Sequence, residues 1–185
     1  MIFERTGETL AYHAARLLLL TFYCGKPRGR QASSLPGIEG RTLLAKLDFF
    51  LRYPVYLRKA AAILKKELTD ENFGLSTDSE VRSVESRMVR YLYGPWDYIY
   101  YPTIAYLIGK ELITVEIRSN VEIFRLTPKG QDVAKKLAHE SVYADLAQRA
   151  DTAYHLFNKY SGSRLKEFIY ANFPEVVNRD VGALI

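Results

Sequence analysis

The chain has 185 residues, 48% of them hydrophobic and 25% charged, with a formal net charge of +5 and a sequence pI of about 9.2. This excludes wholesale disorder and describes one large domain, or two small ones sharing a core, in which the loops and last few residues are expected to be mobile. The basic balance leaves nucleic acid or another acidic surface open as a partner without requiring it, and one cysteine, Cys24, excludes a disulfide framework or a cysteine-based zinc site.

Residues 9–23 form a leucine-rich run without proline or glycine. Leu10, Ala14, Leu17 and Thr21 share one stripe beside Leu18 and Phe22, which predicts a core helix. The apolar stretch 14–24 is interrupted by Arg16 and is too short to span a bilayer, while Glu4 and Glu8 argue against a secretory leader. No membrane partner and a cytoplasmic location are expected. Cys24 reads as a buried, inert thiol. A breaker-rich basic loop follows, with Lys26, Arg28 and Arg30 among glycines, prolines and serines up to Gly40.

A second helix is predicted over 41–53. Leu43, Leu44, Leu47, Phe50 and Leu51 make its apolar face, and Lys46, Asp48 and Arg52 point elsewhere. Pro54 opens a third helix to residue 68 with a basic face of Arg58, Lys59, Lys65 and Lys66. Residues 69–85 are polar and acidic and read as a linker, dividing an N-terminal helix-turn-helix-like part (1–68) from a second part (86–140), with C-terminal helices and a tail over 141–185.

Residues 86–93 read as a strand that Gly94 and Pro95 turn. Asp97 is placed to cap a helix carrying Ile99, Tyr101, Ile104, Leu107 and Ile108. Two runs of period two, 112–117 and 121–126, flank Arg118, Ser119 and Asn120, the length of a hairpin connection. Thr127 then caps a helix with Pro128 in its first position. Two further helices lie over 142–160 and 163–173, with Leu146, Ala150, Ala153, Leu156, Phe157 and Tyr160 on a buried stripe. The fold class expected is mainly α with a small β-hairpin (α+β). A helix, a tight hairpin, then Leu126-Thr127-Pro128-Lys129-Gly130 and another helix is how winged helix-turn-helix domains commonly read, and two similar halves leave a tandem arrangement open.

Catalytic signatures are missing: there is no phosphate-cradling or dinucleotide glycine motif, no His-Glu-x-x-His helix and no nucleophile elbow. A non-catalytic binder without cofactor or metal is expected. Three features remain as binding candidates. The loop cations Lys26, Arg28 and Arg30 are one, and the wing residues Arg118, Asn120, Arg125 and Lys129 another; both are placed to meet phosphates or a minor groove. The third is the aromatic cluster Tyr91, Tyr93, Trp96, Tyr98, Tyr100 and Tyr101, suited to a partner surface or to base stacking. Helical spacing sets Tyr98 and Tyr101 on a similar side and Tyr100 away from them, so these rings cannot all share one core.

The segments Gly37-Ile38-Glu39-Gly40-Arg41-Thr42-Leu43-Leu44-Ala45-Lys46-Leu47-Asp48-Phe49-Phe50-Leu51-Arg52-Tyr53-Pro54 and Val89-Arg90-Tyr91-Leu92-Tyr93-Gly94-Pro95-Trp96-Asp97 resemble the middle component of prokaryotic ABC-three-component systems, the group that includes the Lamassu anti-phage systems. The resemblance implies a winged-helix adaptor in antiviral defence, bridging an SMC/Rad50-like ABC ATPase and an effector, with sequence-independent DNA contact and a homodimer both left open. It carries over no catalytic residue. The alternative expectation is a stand-alone winged-helix transcriptional regulator that dimerises through its terminal helices and binds a palindromic operator.

Overall fold

Thr9 starts the first helix by accepting a hydrogen bond from the Tyr12 amide at 3.2 Å on its hydroxyl, and α1 (Leu10–Cys24) runs from it. A computed structural model describes residues 9–27, 34–73 and 87–185. It is mainly helical with small antiparallel sheets, an α+β architecture.

The loop after α1 contains a strand that the density of breakers conceals. In β1 (Gly37–Glu39), Ile38 stands opposite Phe124 and Gly37 opposite Arg125. Next come α2 (Arg41–Arg52) and α3 (Pro54–Ile63), with Pro54 in the opening turn of α3 as expected. This third helix ends five residues before the predicted limit of 68. Lys65 takes a left-handed φ of 52°, and the amides of Lys65 and Lys66 turn back to the carbonyls of Ala62 and Ala61 at 3.0 and 2.9 Å. This reversal closes off the helix.

The region predicted as a linker begins docked on the core. A 3-10 turn, Asp70–Phe73, buries Phe73, and the Phe73 carbonyl accepts from Arg149 Nε at 3.0 Å.

Gly94 and Pro95 do not turn the chain. They lie in β3 (Gly94–Trp96), which pairs with β2 (Val89–Tyr91) around a turn at Leu92 and Tyr93. The C-terminal residues, expected to be mobile, extend this hairpin. Ala183 and Met88 carbonyls accept the amides of Arg90 and Ile185, both at 2.8 Å, and Ile185 is buried.

The helix expected from Asp97 starts later, as α4 (Tyr100–Gly109). Two strands follow, β4 (Ile113–Arg118) and β5 (Val121–Leu126). Arg118 belongs to the ladder, opposite Val121, so the connection has two residues rather than three. Ser119 and Asn120 both have positive φ, 48° and 61°, the geometry whose twist suits a two-residue hairpin. The sheet order is β1-β5-β4.

Four helices complete the chain: α5 (Pro128–His139), α6 (Ala144–Phe157), α7 (Gly162–Asn172) and α8 (Pro174–Val177). Thr127 accepts the Gly130 amide at 2.9 Å and donates its hydroxyl to the Glu111 carbonyl at 2.7 Å. One residue therefore caps α5 and ties it to the end of α4. A Cβ on Gly130 would stand 1.8 Å from the Leu112 carbonyl oxygen, so this glycine permits the close approach. Gly130→Ala is expected to cost about 1–3 kcal/mol by overpacking, read as a lowered denaturant midpoint. The same change at Gly109, where nothing lies within 4 Å, serves as the harmless control.

One core runs through both sides of residues 69–85. Leu17, Phe50, Trp96, Phe124, Phe157, Phe173 and Ile185 belong to a single buried cluster, and β1 completes the sheet of β5 and β4. The parts expected on either side of residues 69–85 thus share this core.

The polar residues of α2 overturn the simple amphipathic reading, since Lys46, Asp48 and Arg52 are all buried. The Lys46 ammonium donates to the Thr42 carbonyl at 3.1 Å. Burial, with Lys166 nearby, pushes its pKa down to about 8. The folded state therefore binds fewer protons than the unfolded chain between about pH 8 and the ordinary lysine value, so this group makes stability rise with pH across that window. Lys46→Met is expected to add about 1–2 kcal/mol at pH 7, after allowance for residual solvation, and to flatten that rise. Denaturant melts at pH 7 and 9 check both.

Candidate functional site

α4 is held by an ionic network that the periodic reading misses. Asp48 lies at its centre, accepting from Arg16 Nε at 2.8 Å, from Arg16 at 3.3 Å on its other oxygen and from the Tyr100 hydroxyl at 2.8 Å. Arg52 lies 3.7 Å from the same carboxylate and donates to Asp97 at 2.7 Å. Two guanidiniums thus face two carboxylates, and the Arg16, Asp48 and Arg52 side chains have no solvent exposure. Burial, then the Asp48 carboxylate, raises the Tyr100 pKa well above the usual phenol value. The phenol stays protonated and donating. The second Asp97 oxygen accepts the Ile99 amide at 2.9 Å, so Asp97 organises the entry to α4 without being its immediate cap.

Anchored on that side, α4 turns Thr103, Ile104 and Leu107 inward. The opposite side shows Tyr101 (52% exposed) and Ile108 (44%) with exposed Ala105 between them, and Tyr98 (60%), in the turn just before the helix, extends this apolar stripe. Lys110, beyond the end of the helix, is the cation nearest this stripe in sequence, and it lies over the Tyr106 ring at 5.6 Å. The one-residue step from buried Leu107 to Ile108, about 100°, carries Ile108 out of the core.

The predicted aromatic cluster therefore divides. Trp96 and Tyr100 are core residues, their rings 5.2 Å apart edge to face, and they offer no partner surface. Tyr98 and Tyr101 form the exposed stripe. Tyr93, also exposed, sits at the β2–β3 turn with the Lys166 ammonium 5.5 Å from its ring, beside α7 instead of α4.

The stripe adjoins the β4–β5 hairpin through Arg41. Its guanidinium pairs with both Glu122 oxygens at 2.6 and 2.7 Å and lies 5.2 Å from the Tyr101 ring. Sequence reasoning passed over Arg41. Its position at the start of a helix gave no signal, because its partner is far along the chain.

The predicted phosphate contacts divide as well. Arg118, Asn120 and Lys129 are exposed, the first two at the hairpin end. Lys129 stands 3.7 Å from Glu111. Arg125 is instead buried. It donates to Glu116 at 2.9 Å and to the Leu35 carbonyl, so it clamps the loop after α1 to the sheet instead of projecting toward a phosphate. Gly37 makes room for it: a Cβ there would meet the guanidinium carbon at 3.2 Å. Lys26 is exposed, with its backbone bridged to Gly37. Arg28 and Arg30 lie outside the described residues.

Among the described residues, no group of three or more His, Cys, Asp or Glu side chains is placed to hold a metal ion. Among the same residues, no helix is long and apolar enough to cross a membrane. Cys24 is buried with its thiol donating to the Ala150 carbonyl at 3.4 Å, and burial, with Asp151 adding, pushes its pKa up. A thiol held in this form is a poor nucleophile. No protein-family model, curated protein or solved structure matches the chain.

Proposed function

We propose that the chain is a non-catalytic winged-helix adaptor that engages a partner protein through the solvent face of α4. The topology supports this reading: a helix, a strand, a second helix, and later a helix followed by a hairpin whose sheet the early strand joins in the order β1-β5-β4. On this reading α4 takes the place of a recognition helix and β4–β5 the place of the wing. α3 and the β2–β3 hairpin are insertions before α4.

The observation that carries the proposal is the chemistry of that face. Helices that read a major groove present Arg, Lys, Asn or Gln to base edges. Here the positions are Tyr98, Tyr101, Ala105 and Ile108, the aromatic and apolar anchors of a protein interface. The sequence resemblance supplies the partner: an SMC/Rad50-like ABC ATPase of an anti-phage system, which the adaptor bridges to an effector. DNA contact then falls to Lys26, Arg118, Asn120 and Lys129, with Arg28 and Arg30 beside them in sequence, and is independent of base sequence.

A salt titration of DNA binding tests the choice between adaptor and regulator. Fluorescence anisotropy should show weak binding that falls steeply with salt and is equal for the gene's own upstream region and an unrelated duplex. Tight binding confined to the upstream region would replace the adaptor by the regulator.

A further inference from the structure

β4 is an edge of its sheet, and its free rim is apolar. In the sheet order β1-β5-β4 no described strand lies beyond it. The Glu122 carbonyl accepts from Gly40 and the Leu126 amide donates to Pro36, so both residues direct backbone groups toward β1. Their partners across β4 are Ile117 and Ile113. Antiparallel pairs alternate in the direction of their hydrogen bonds, so Ile113, Val115 and Ile117 point amides and carbonyls outward. Val115 and Ile117 are 36% and 76% exposed. The strand has no proline to block its edge.

We propose that this rim pairs antiparallel with β4 of a second copy of the chain, with Val115 on the two-fold axis. The strand's own sequence selects the register. Centring on Glu116 would set two carboxylates face to face, which is repulsive. Centring on Ile117 or on Thr114 would run sooner into a left-handed residue, Ser119 or Glu111. Centring on Val115 sets Ile113 against the second copy's Ile117 at both ends and Val115 against itself. Thr114 then faces the second copy's Glu116, and Arg118 comes within one position of the second copy's Glu111, with opposite charge. Residues 113, 115 and 117 all face a hydrogen-bonding partner. The pairing joins two three-stranded sheets into one of six and covers the exposed Val115 and Ile117. The pairing uses β4 and no residue of the α4 stripe, and does not depend on the adaptor reading.

Directly opposed residues in a hydrogen-bonded pair have Cα atoms about 5.5 Å apart, within disulfide reach. Oxidised full-length Val115→Cys should therefore form a covalent dimer, and Glu116→Cys should stay monomeric. By light scattering after size exclusion the unaltered chain should be a dimer, and Ile117→Lys should weaken it at least about 30-fold, with an unchanged unfolding midpoint when both chains are diluted to monomers. A monomer up to about 100 µM, a dimer indifferent to Ile117→Lys, or cross-linking at Glu116→Cys in place of Val115→Cys would overturn the proposal. Should Ile117→Lys fail to fold, the pair of cysteine variants decides alone.

Discussion

Asp48→Ala is expected to cost about 3–5 kcal/mol, because it leaves two buried guanidiniums without their central carboxylate. Asp48 is fully buried, and Arg16, Arg52 and Tyr100 converge on it. Desolvating these charges is tolerable only while each faces an opposite charge, so removal of one costs more than the pair contributes. Asp48→Asn keeps the shape and loses the charge, and should fall between the alanine variant and the unaltered protein. Urea melts with matched slopes check both. A loss below about 1 kcal/mol for Asp48→Ala would mean that the network is solvated, contrary to its burial.

The second large effect concerns binding and leaves stability intact. Tyr98→Ala and Tyr101→Ala are each expected to weaken the partner complex by about 2 kcal/mol, near 30-fold in Kd, because exposed aromatic anchors concentrate interface energy. Both side chains are more than half exposed, so the unfolding midpoint should move little. Tyr100→Phe is the contrasting variant. It removes the donor to Asp48 from a residue that is 1% exposed, and should lower stability while leaving the partner's surface untouched. If Tyr100→Phe weakened the complex while Tyr101→Ala did not, the interface would lie elsewhere.

Local signals made much of the fold legible. Thr9 before a leucine-rich run, Pro54 at a helix start, the two alternating runs before Thr127, and Thr127 with Pro128 each act within a few residues, and each marks its element closely. The elements that were misplaced depend on distant partners. β1 is three residues long among breakers and exists because β5 offers it a ladder. Gly94 and Pro95 read as a turn in isolation, yet pairing with Val89–Tyr91 holds them in a strand.

The buried charges of α1 and α2 were illegible for the same reason. A binary pattern assigns Arg16, Asp48 and Arg52 to solvent, and only the fold, which brings Arg16 to Asp48 across 32 positions, makes their burial possible. At the candidate site, the rotation of about 100° per residue correctly separated Tyr100 from Tyr98 and Tyr101. Arg125 was misread because its sheet face is covered by the loop that carries Leu35 and Lys26, a contact that spacing along the chain does not reveal.

We propose above that the α4 face docks an ABC ATPase. Co-expression of the full chain with the ABC ATPase encoded beside it, followed by size exclusion with and without nucleotide, tests this most directly. One co-eluting complex is expected, and it should dissociate when Tyr98 and Tyr101 are both replaced by alanine. Separate elution under both conditions, or a complex indifferent to the double replacement, would contradict it.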